Sequence, residues 1–248
     1  MRPSRRVAGA LAAALIGLGL PAPASAIVGG TPATTTDYPW LAAIVTSLFV
    51  TRAAGQFCGG ALIASDQVIT AAHCVAPALL LPQALAVTFG RDDLRDNDGN
   101  TVRVKELRIH PDFRATILDG EPVYHDDIAI LTLDRPQPGP TVDIAATASS
   151  TGMILGWGAT SETDEANTRL RAATVPLVAD DDCAAVYGSA FDPRTMLCAG
   201  SPDADTAAYD SGGPLLVDGR LVGLTSWGKG AARPGLPSVY SRTSAAKF

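Results

Sequence analysis

The sequence predicts an all-β protein that is divided into two halves. Short apolar runs recur along the chain and are bounded by Gly, Pro, Asp and Asn, which is typical of short strands; they include WLAAIV, ALAVTFG, DIAILTL and LVGLTSW. Helical periodicity is scarce. The segment LDRPQPGPTVD, at 133–143, contains three prolines and cannot lie in a central strand. We therefore place the boundary between an N-terminal and a C-terminal all-β half there.

Three local patterns refine this prediction. The VRV stretch at 102–104 alternates apolar and charged residues, as a half-buried strand does. Asp218 and Gly219 separate two apolar runs, and an Asp-Gly pair readily adopts the positive φ angles of a two-residue hairpin turn. The segment DDDCAAVYG at 180–188 favours a short helix with an aspartate as its N-cap.

Residues 1–26 have the pattern of an export signal. Three arginines among the first six residues precede an apolar run at 8–20, and small residues occupy positions 24 and 26, as a signal peptidase requires. The apolar run is shorter than the roughly 20 residues that span a bilayer. An uncleaved membrane anchor is the alternative. We expect a secreted protein that is free of the membrane once the signal is removed.

Charge and cysteine content exclude several function classes. Removing residues 1–26 leaves 222 residues with a formal charge of −9, which disfavours nucleic acid as a partner because basic patches supply that affinity. Four cysteines in an exported chain favour two disulfides. No C-x-x-C spacing occurs, and the acidic stretch at 91–100 is interpreted as a solvated loop. We therefore expect no metal and no cofactor.

The few histidines limit where a catalytic base can lie. Peptide hydrolysis by a serine needs a hydroxyl, a base, a group that orients the base, and donors for the oxyanion. The three histidines are His73 in VITAAHCV, His110 in IHPDF and His125 in HDDIAILTL. We interpret His110 as part of a structural surface loop and His125 as solvated. His73 follows an apolar run and adjoins Cys74, and Ser211 in YDSGGPLL precedes two glycines and a further apolar run, so both are candidates for this chemistry.

Eight motifs make the chain resemble the trypsin/chymotrypsin family of serine proteases, and in particular its secreted bacterial trypsin-like type. They occur in the order typical of that family and cover residues 27–248 almost from end to end: IVGG at 27, CGGALI at 58, TAAHC at 70, DIAIL at 127, GWG at 156, CAG at 198, DSGGP at 210 and SWG at 226. The resemblance implies two six-stranded antiparallel β-barrels, at about 27–135 and 143–248, with the active site in the cleft between them.

The resemblance also implies a role for each catalytic residue. Ser211 corresponds to the nucleophile and His73 to the general base. Asp127 corresponds to the orienting carboxylate, in preference to Asp126, because the aspartate of the family directly precedes the Ile-Ala-Ile-Leu run. The implied disulfides join residues of the same half of the chain: Cys58 with Cys74, and Cys183 with Cys198.

The same alignment places Asp205 at the base of the primary specificity pocket. A carboxylate there selects Arg, through paired hydrogen bonds, or Lys, as a point charge, before the scissile bond. The alternative is that Asp205 is one more surface acid in SPDAD. Gly228 and Gly230 would leave the pocket accessible from its walls. Ser238 stands where trypsins usually carry Gly and narrows the pocket, so the sequence does not decide whether Arg is preferred over Lys. Three residues are expected to pair with the substrate backbone as a strand: Ser226, Trp227 and Gly228.

Activation in this family depends on a new N-terminus, which here corresponds to Ile27. Its α-ammonium is expected to pair with Asp210, the residue before the serine. A buried ammonium is costly unless a carboxylate meets it, and the pairing orders the oxyanion loop. Because IVGG directly follows the export signal, cleavage after Ala26 would release the active end, and we hypothesise that there is no separate zymogen stage.

The chain ends eight residues after Tyr240, before the terminal helix usual in the family, so lower stability is expected if this is the natural end.

Tyr209 departs from the family pattern. The backbone N–H groups of Tyr209 and Ser211 are the implied oxyanion donors, but the family usually has Gly at the first position because φ is positive there. A side chain in this conformation costs about 1–3 kcal/mol of backbone strain. Losing one oxyanion donor raises the activation barrier by about 2.7–4 kcal/mol. Because the two ranges overlap, they do not decide whether the peptide keeps the orientation that presents its N–H or flips. Ala207 and Ala231 replace a cysteine pair that is frequent in the family, which leaves this wall less tethered.

Two functions therefore remain as hypotheses at this stage. One is an endopeptidase that cleaves after Arg or Lys through an acyl-enzyme. The other is a non-catalytic relative that binds proteins through the same cleft. For either, the expected partners are proteins or peptides, with protein protease inhibitors among them, and the protein is expected to be a monomer. Labelling of Ser211 by a serine-directed inhibitor would separate the two.

Overall fold

The computed structural model describes residues 27–46, 48, 52–146, 149–162 and 167–247. The predicted export signal at 1–26 lies outside these residues. Among the residues described, no helix combines the length and the apolar character that a membrane crossing requires.

The strands before the proline-rich segment, except the first, form a closed barrel and one outlying hairpin. They are β1 (Thr31–Pro32), β2 (Leu41–Thr46), β3 (Gln56–Ala64), β4 (Gln67–Thr70), β5 (Leu85–Phe89), β6 (Asn100–Ile109), β7 (Arg114–Leu118), β8 (Glu121–His125) and β9 (Ala129–Leu133). The barrel order is β2-β3-β4-β9-β6-β5, and all neighbouring strands are antiparallel. In β6, Val102 and Val104 are buried and Arg103 is exposed, which confirms the predicted alternation. Strands β7 and β8 form a separate hairpin.

The strands after the proline-rich segment form a second closed barrel. They are β10 (Thr151–Gly156), β11 (Arg171–Val178), β12 (Met196–Ala199), β13 (Pro214–Val217), β14 (Arg220–Trp227) and β15 (Ser238–Arg242). The order is β11-β10-β13-β14-β15-β12, and a pairing of β11 with β12 closes the ring; β1 is added to the outside of β11. The prediction of two six-stranded antiparallel barrels is confirmed.

Helices are short and lie outside the barrels. The α-helices are α1 (Ala72–Val75) and α2 (Asp180–Tyr187), and 3₁₀ turns cover Ala53–Gly55, Ala76–Ala78, Pro82–Ala84, Gly188–Ala190 and Thr243–Ala245. The predicted helix is thus confirmed as α2, but its predicted aspartate cap is wrong. The N-cap is Ala179, and the three aspartates lie in the first turn, where negative charge is stabilised by the helix dipole.

Local chemistry explains the connections that the sequence predicted. Asp218 and Gly219 have φ of 50° and 75° and join β13 to β14, which confirms the predicted hairpin turn. Both predicted disulfides are also confirmed: Cys58–Cys74 ties β3 to α1, and Cys183–Cys198 ties α2 to β12. Each closes a loop that is worth roughly 3 kcal/mol on a chain-entropy estimate.

An apolar cluster continues from the first barrel into the second. Its first-barrel part includes Leu41, Ile44 and Leu131, and the same cluster contains Leu155 and Leu224 of the second barrel, all at most 1% exposed. The two barrels therefore pack on each other, and the loops at their junction are held in register. These loops contain the residues of the candidate site.

Candidate active site

His73 and Asp127 meet at the junction of the two barrels. His73 lies in α1, directly after β4, and Asp127 lies between β8 and β9. The His73 Nδ1 atom is 2.7 Å from Asp127 Oδ2, and the backbone N–H of His73 donates to Oδ1 at 2.8 Å. The Asp127 side chain is completely buried and the His73 side chain is 16% exposed. The carboxylate therefore fixes both the position and the orientation of the imidazole.

Ser226 gives Asp127 a further hydrogen bond. Its hydroxyl, at the end of β14, donates to Asp127 Oδ2 at 2.6 Å. Because a carboxylate oxygen only accepts, the proton of the neutral imidazole belongs on Nδ1, which leaves Nε2 of His73 as an acceptor. Sequence reasoning assigned Ser226 only to the substrate backbone. No local signal reveals this second role, since the two residues are 99 positions apart.

Tyr124 covers one face of the imidazole. The rings of Tyr124 and His73 are stacked, with centroids 4.4 Å apart and planes 7° from parallel. Burial, and then the nearby Asp127, raise the pKa of Tyr124, so the phenol stays neutral. The stacking restricts rotation of His73, and sequence reasoning missed it.

Ser211 lies on a tight turn before β13. The N–H of Gly213 donates to Asp210 O at 2.9 Å and closes the turn, and the N–H of Gly212 donates to Thr225 O at 2.7 Å and joins the turn to β14. Gly212 has a φ of 74°, which favours glycine. Ser211 is partly exposed at the apex of this turn.

This turn packs directly against the chain segment that precedes His73. A Cβ atom on Gly212 would lie 2.3 Å from Thr70 Oγ1 and 2.9 Å from Ala71 N. The carbonyl of Ser211 also accepts a hydrogen bond from Gly59 N at 2.8 Å. The second barrel thus presents Ser211 to the strand ends of the first, and only glycine fits at position 212.

The structure does not complete the triad by a direct hydrogen bond. Among the described residues, no hydrogen bond joins the Ser211 hydroxyl to His73, whereas the His73–Asp127 contact is fully formed. Contacts between nucleophile and base are commonly long without substrate and shorten in the reacting complex. Ser211 and His73 are therefore brought to one junction but not into hydrogen-bond contact.

The backbone of Tyr209 has the positive φ angle that was expected at this position. Its φ is 74°, in the left-handed region that is costly for a residue with a side chain. The carbonyl of Tyr209 accepts a hydrogen bond from Gln56 Nε2 at 2.9 Å, and the guanidinium carbon of Arg52 lies 4.2 Å from the centroid of its ring. Sequence reasoning missed both neighbours.

A cleft of about 940 Å³ opens beside Ser211. Its wall contains most of the predicted substrate-binding residues: Ser226, Trp227, Gly228, Gly230 and Ser238. Asp205 does not line this cleft, although its neighbour Thr206 does. The hydroxyl of Thr206 donates to Ser238 Oγ at 3.2 Å. Both hydroxyls belong to residues of the cleft wall.

The Asp205 carboxylate is only 1% exposed. It accepts hydrogen bonds from Thr206 N at 2.8 Å and from Ala232 N at 3.0 Å. Burial raises the pKa of Asp205 to about 6, and hydrogen bonds from Ala232, Ser238 and Thr206 limit the rise. Asp205 is thus a buried acid behind the cleft wall and not a surface acid.

Asp210 is also buried, on the other side of the turn that presents Ser211. Its carboxylate accepts hydrogen bonds from Gly158 N at 2.8 Å and from Ala207 N at 3.1 Å. Burial raises the pKa of Asp210 to about 7, opposed by these bonds and by Arg52. None of the hydrogen bonds to Asp210 among the described residues comes from Ile27.

The segment that begins at Ile27 packs on the second barrel. Ile27 is fully buried in the core of that barrel, and Val28 pairs with Asp205, whose N–H donates to Val28 O at 3.2 Å. Ile27 has a φ of 53°, a backbone that β-branched residues rarely adopt. The start of the described chain therefore contacts the base of the predicted pocket directly.

One group of potential metal ligands lies near the site. Cys58, His73 and Cys74 lie within 4.8 Å of one another. The two sulfur atoms are joined in a disulfide, so they cannot act as thiolate ligands. This group does not suit a metal ion.

Comparisons with known proteins agree with this geometry. A family model described as Trypsin matches residues 27–248. A trypsin of Saccharopolyspora erythraea is 38% identical over 227 residues, which cover 88% of this chain and 94% of that protein. Trypsin-1 of Astacus astacus is 33% identical, covering 88% of this chain and 95% of the relative. A trypsin-like protease of Streptomyces glaucescens is 34% identical, with coverages of 88% and 78%.

Proposed function

Because the chain belongs to the trypsin family of serine endopeptidases and acts on protein or peptide substrates, we propose that Ser211, His73 and Asp127 cleave peptide bonds after Arg or Lys. The observation that carries this proposal is the buried His73–Asp127 pair at the junction where the turn of Ser211 packs. The non-catalytic alternative is set aside, since the relatives matched across most of this chain are trypsins.

The reaction proceeds in two halves. Nε2 of His73 takes the proton of Ser211 as Oγ attacks the scissile carbonyl carbon, and the carbonyl π electrons move onto oxygen. The N–H groups of Tyr209 and Ser211 stabilise this oxyanion. His73 then protonates the leaving amine, and an acyl-enzyme remains. Water, deprotonated by His73, attacks the acyl group, and Ser211 recovers its proton as the carboxylic acid leaves.

Asp127 and its partners support proton transfer without taking part in it. The carboxylate keeps the imidazole proton on Nδ1 and stabilises the imidazolium that forms during each half-reaction. The hydrogen bond from Ser226 at 2.6 Å holds the carboxylate in place. Because Ser226 also lies in the wall of the cleft, one strand end aligns the substrate backbone and the catalytic carboxylate together.

Specificity for a basic side chain depends on Asp205. Replacing Asp205 with Asn should lower the preference for an arginyl over a phenylalanyl peptide, measured as the ratio of kcat/KM values, by about 30-fold or more. Removing one partner of a buried charge pair costs at least 2 kcal/mol, and here the loss falls only on the basic substrate. Asp203→Asn is the matched control, because this exposed acid lies in the same loop. An unchanged ratio in the Asp205 variant would contradict the assignment.

The same carboxylate makes binding of a basic group depend on pH. Burial raises the pKa of Asp205 to about 6, so a proton competes with a bound cation below that pH. Calorimetry with benzamidine should give a Kd that is constant above about pH 7 and rises about tenfold per unit well below pH 6. Asp205→Asn should bind weakly with no such dependence.

Activation depends on cleavage before Ile27. With a preceding residue attached, Ile27 has the strained φ of 53° and Asp210 has a pKa raised to about 7 by burial. Cleavage removes the preceding peptide, and the new ammonium can pair with Asp210. Refolded protein that begins at Ala26 should show a kcat/KM about 10²-fold or more below that of protein that begins at Ile27, since an unpaired buried charge costs about 3–5 kcal/mol.

The two forms should also differ in how their stability responds to pH. In the Ala26 form, the pKa of Asp210 lies above its ordinary value of 3.8. Protonated Asp210 therefore contributes its full stabilisation below pH 3.8, and this contribution is lost as the pH rises through about 7. In the Ile27 form the ammonium lowers the pKa, and the contribution is present above 3.8. The Tm advantage of the Ile27 form should grow from pH 4 to pH 7, and Asp210→Asn should abolish that growth.

We further propose that the protein is secreted and that signal cleavage after Ala26 activates it without a zymogen stage. The two disulfides support this location because they persist in oxidising compartments. N-terminal sequencing of the secreted protein should begin at Ile27; another start would exclude activation by signal cleavage. We also propose that the protein acts as a monomer and that a protein inhibitor presenting a basic residue in an extended loop would fit the cleft.

A further inference from the structure

Tyr209 combines a left-handed backbone, with φ of 74°, with a bulky aromatic side chain. This conformation favours glycine, yet the peptide of Tyr209 is adjacent to Asp210 and Ser211. Some feature of the surrounding structure must therefore hold it. The contacts of Tyr209 with the first barrel identify that feature.

Two side chains, one shortly before β3 and one at its first residue, contact Tyr209 at both its ring and its backbone. The guanidinium carbon of Arg52 lies 4.2 Å from the ring centroid, a distance suited to a cation–π contact. Gln56, which is fully buried, donates from Nε2 to the carbonyl of Tyr209 at 2.9 Å and to that of Cys58 at 3.2 Å. Arg52 Nη1 in turn donates to Gln56 Oε1. One arginine thus acts on the ring directly and on the carbonyl through Gln56.

Arg52 is itself anchored on the second barrel. Its Nη2 atom donates to the carbonyl of Trp157 at 2.5 Å and to that of Asn167. Asn167 also donates to the carbonyls of Trp157 and Gly158, at 3.0 and 3.2 Å, and Gly158 N is a donor to Asp210. The position of Arg52 is therefore set by the same loop that holds the carboxylate next to Ser211.

We propose that Arg52 is a positioning residue for the oxyanion loop. With Gln56, it holds Tyr209 in the left-handed conformation that presents the Tyr209 N–H to the oxyanion, in place of the glycine that would adopt it unaided. The proposal rests on the proposed function, in which Tyr209 and Ser211 are the oxyanion donors. In this role Arg52 contacts no reacting atom and acts through Tyr209 and Gln56; its charge separately lowers the pKa of Asp210.

A double-mutant cycle tests this role. Arg52→Met keeps most of the side-chain volume but removes the charge and the forked donors. In the protein with Tyr209, it should lower kcat on an arginyl peptide about 10- to 100-fold, which is less than the 10²–10³-fold expected for complete loss of one oxyanion donor. KM and the Kd of benzamidine should change less than about twofold. A peptide boronate that forms a tetrahedral adduct on Ser211 should weaken in parallel with kcat.

The decisive comparison is made in a Tyr209→Gly background. There, Arg52→Met should change kcat less than about twofold, because glycine adopts positive φ without support. Arg135→Met, at an exposed arginine that donates to Thr101 O in the first barrel, is the control for loss of a surface charge. An equal loss of kcat in both backgrounds would mean that Arg52 only ties the barrels together, and it would overturn the proposal, as would an unchanged kcat in the Tyr209 protein.

Two further measurements keep the test decisive. If the Tm shows that Arg52→Met does not fold, a Tyr209→Leu variant replaces it, because leucine removes the ring but keeps the Cβ. Tyr209→Leu should then have a lower kcat than either Tyr209→Phe or Tyr209→Gly. Any other order of these kcat values contradicts the proposal. Labelling of the wild-type protein at Ser211 by a fluorophosphonate separates the two levels of inference. If the wild-type protein is labelled but the effects of the two substitutions are additive, only the role of Arg52 is refuted. If the wild-type protein is folded but not labelled, both proposals are refuted.

Discussion

Replacing Ser211 with alanine should lower kcat for an arginyl peptide by about 10⁶-fold, the size known for loss of a triad nucleophile. Only the hydroxyl oxygen is lost, while the turn is held by backbone hydrogen bonds from Gly59, Gly212 and Gly213. The fold and the cleft should therefore persist. Steady-state kinetics measures the loss, and an unchanged Kd for benzamidine shows that the pocket is intact.

Covalent labelling provides the independent check on Ser211. A fluorophosphonate should add one phosphonyl group to wild-type protein that begins at Ile27, and mass spectrometry of the digested protein should place it on Ser211. Ser244→Ala, at an exposed serine near the end of the chain, is the control and should leave rate and labelling unchanged. Residual activity of Ser211→Ala within tenfold of wild type, after contaminating proteases are excluded, would refute the nucleophile assignment.

Replacing Asp127 with Asn should lower kcat at neutral pH by about 10⁴-fold, as known for this change in other serine proteases with this triad. The volume is conserved, but the amide nitrogen can donate to Nδ1 of His73, which favours the tautomer with the proton on Nε2. That nitrogen can then no longer accept the proton of Ser211. The hydrogen bond from Ser226 at 2.6 Å makes this substitution informative, because that hydroxyl continues to position whichever side chain is at 127.

The neighbouring aspartate is a matched control for this prediction. Asp126 is 15% exposed and forms an ion pair with Arg114 at 3.5 Å, so Asp126→Asn should change kcat less than about tenfold. A larger loss for Asp126→Asn than for Asp127→Asn would reverse the assignment. Ser226→Ala should lower kcat by a smaller factor than Asp127→Asn, because it removes one hydrogen bond and leaves the charge in place.

Several features of the fold were predictable from the sequence because they depend on short-range chemistry. Alternating apolar residues predicted β6, the Asp218–Gly219 pair predicted the turn between β13 and β14, and a proline-rich segment separated the two barrels. The identity of Tyr209, at a position where glycine was expected, raised the question of a positive φ before the backbone was seen. The predicted aspartate cap of α2 was wrong because the helix begins before the aspartates: Ala179 is the N-cap, and all three aspartates lie in the first turn.

The sequence alone thus indicated the all-β class, and eight short motifs indicated the family. The resemblance to that family then implied the two disulfides and the choice of His73, Asp127 and Ser211 as candidates. Only the tertiary structure decided that Ser226 donates to Asp127, that Tyr124 stacks on His73, that Arg52 and Gln56 contact Tyr209, and that Asp205 is buried. The physical reason is that most of these contacts join residues far apart in the chain, often from different barrels. Their geometry is created when the two barrels close and pack together, and no pattern of neighbouring residues encodes it.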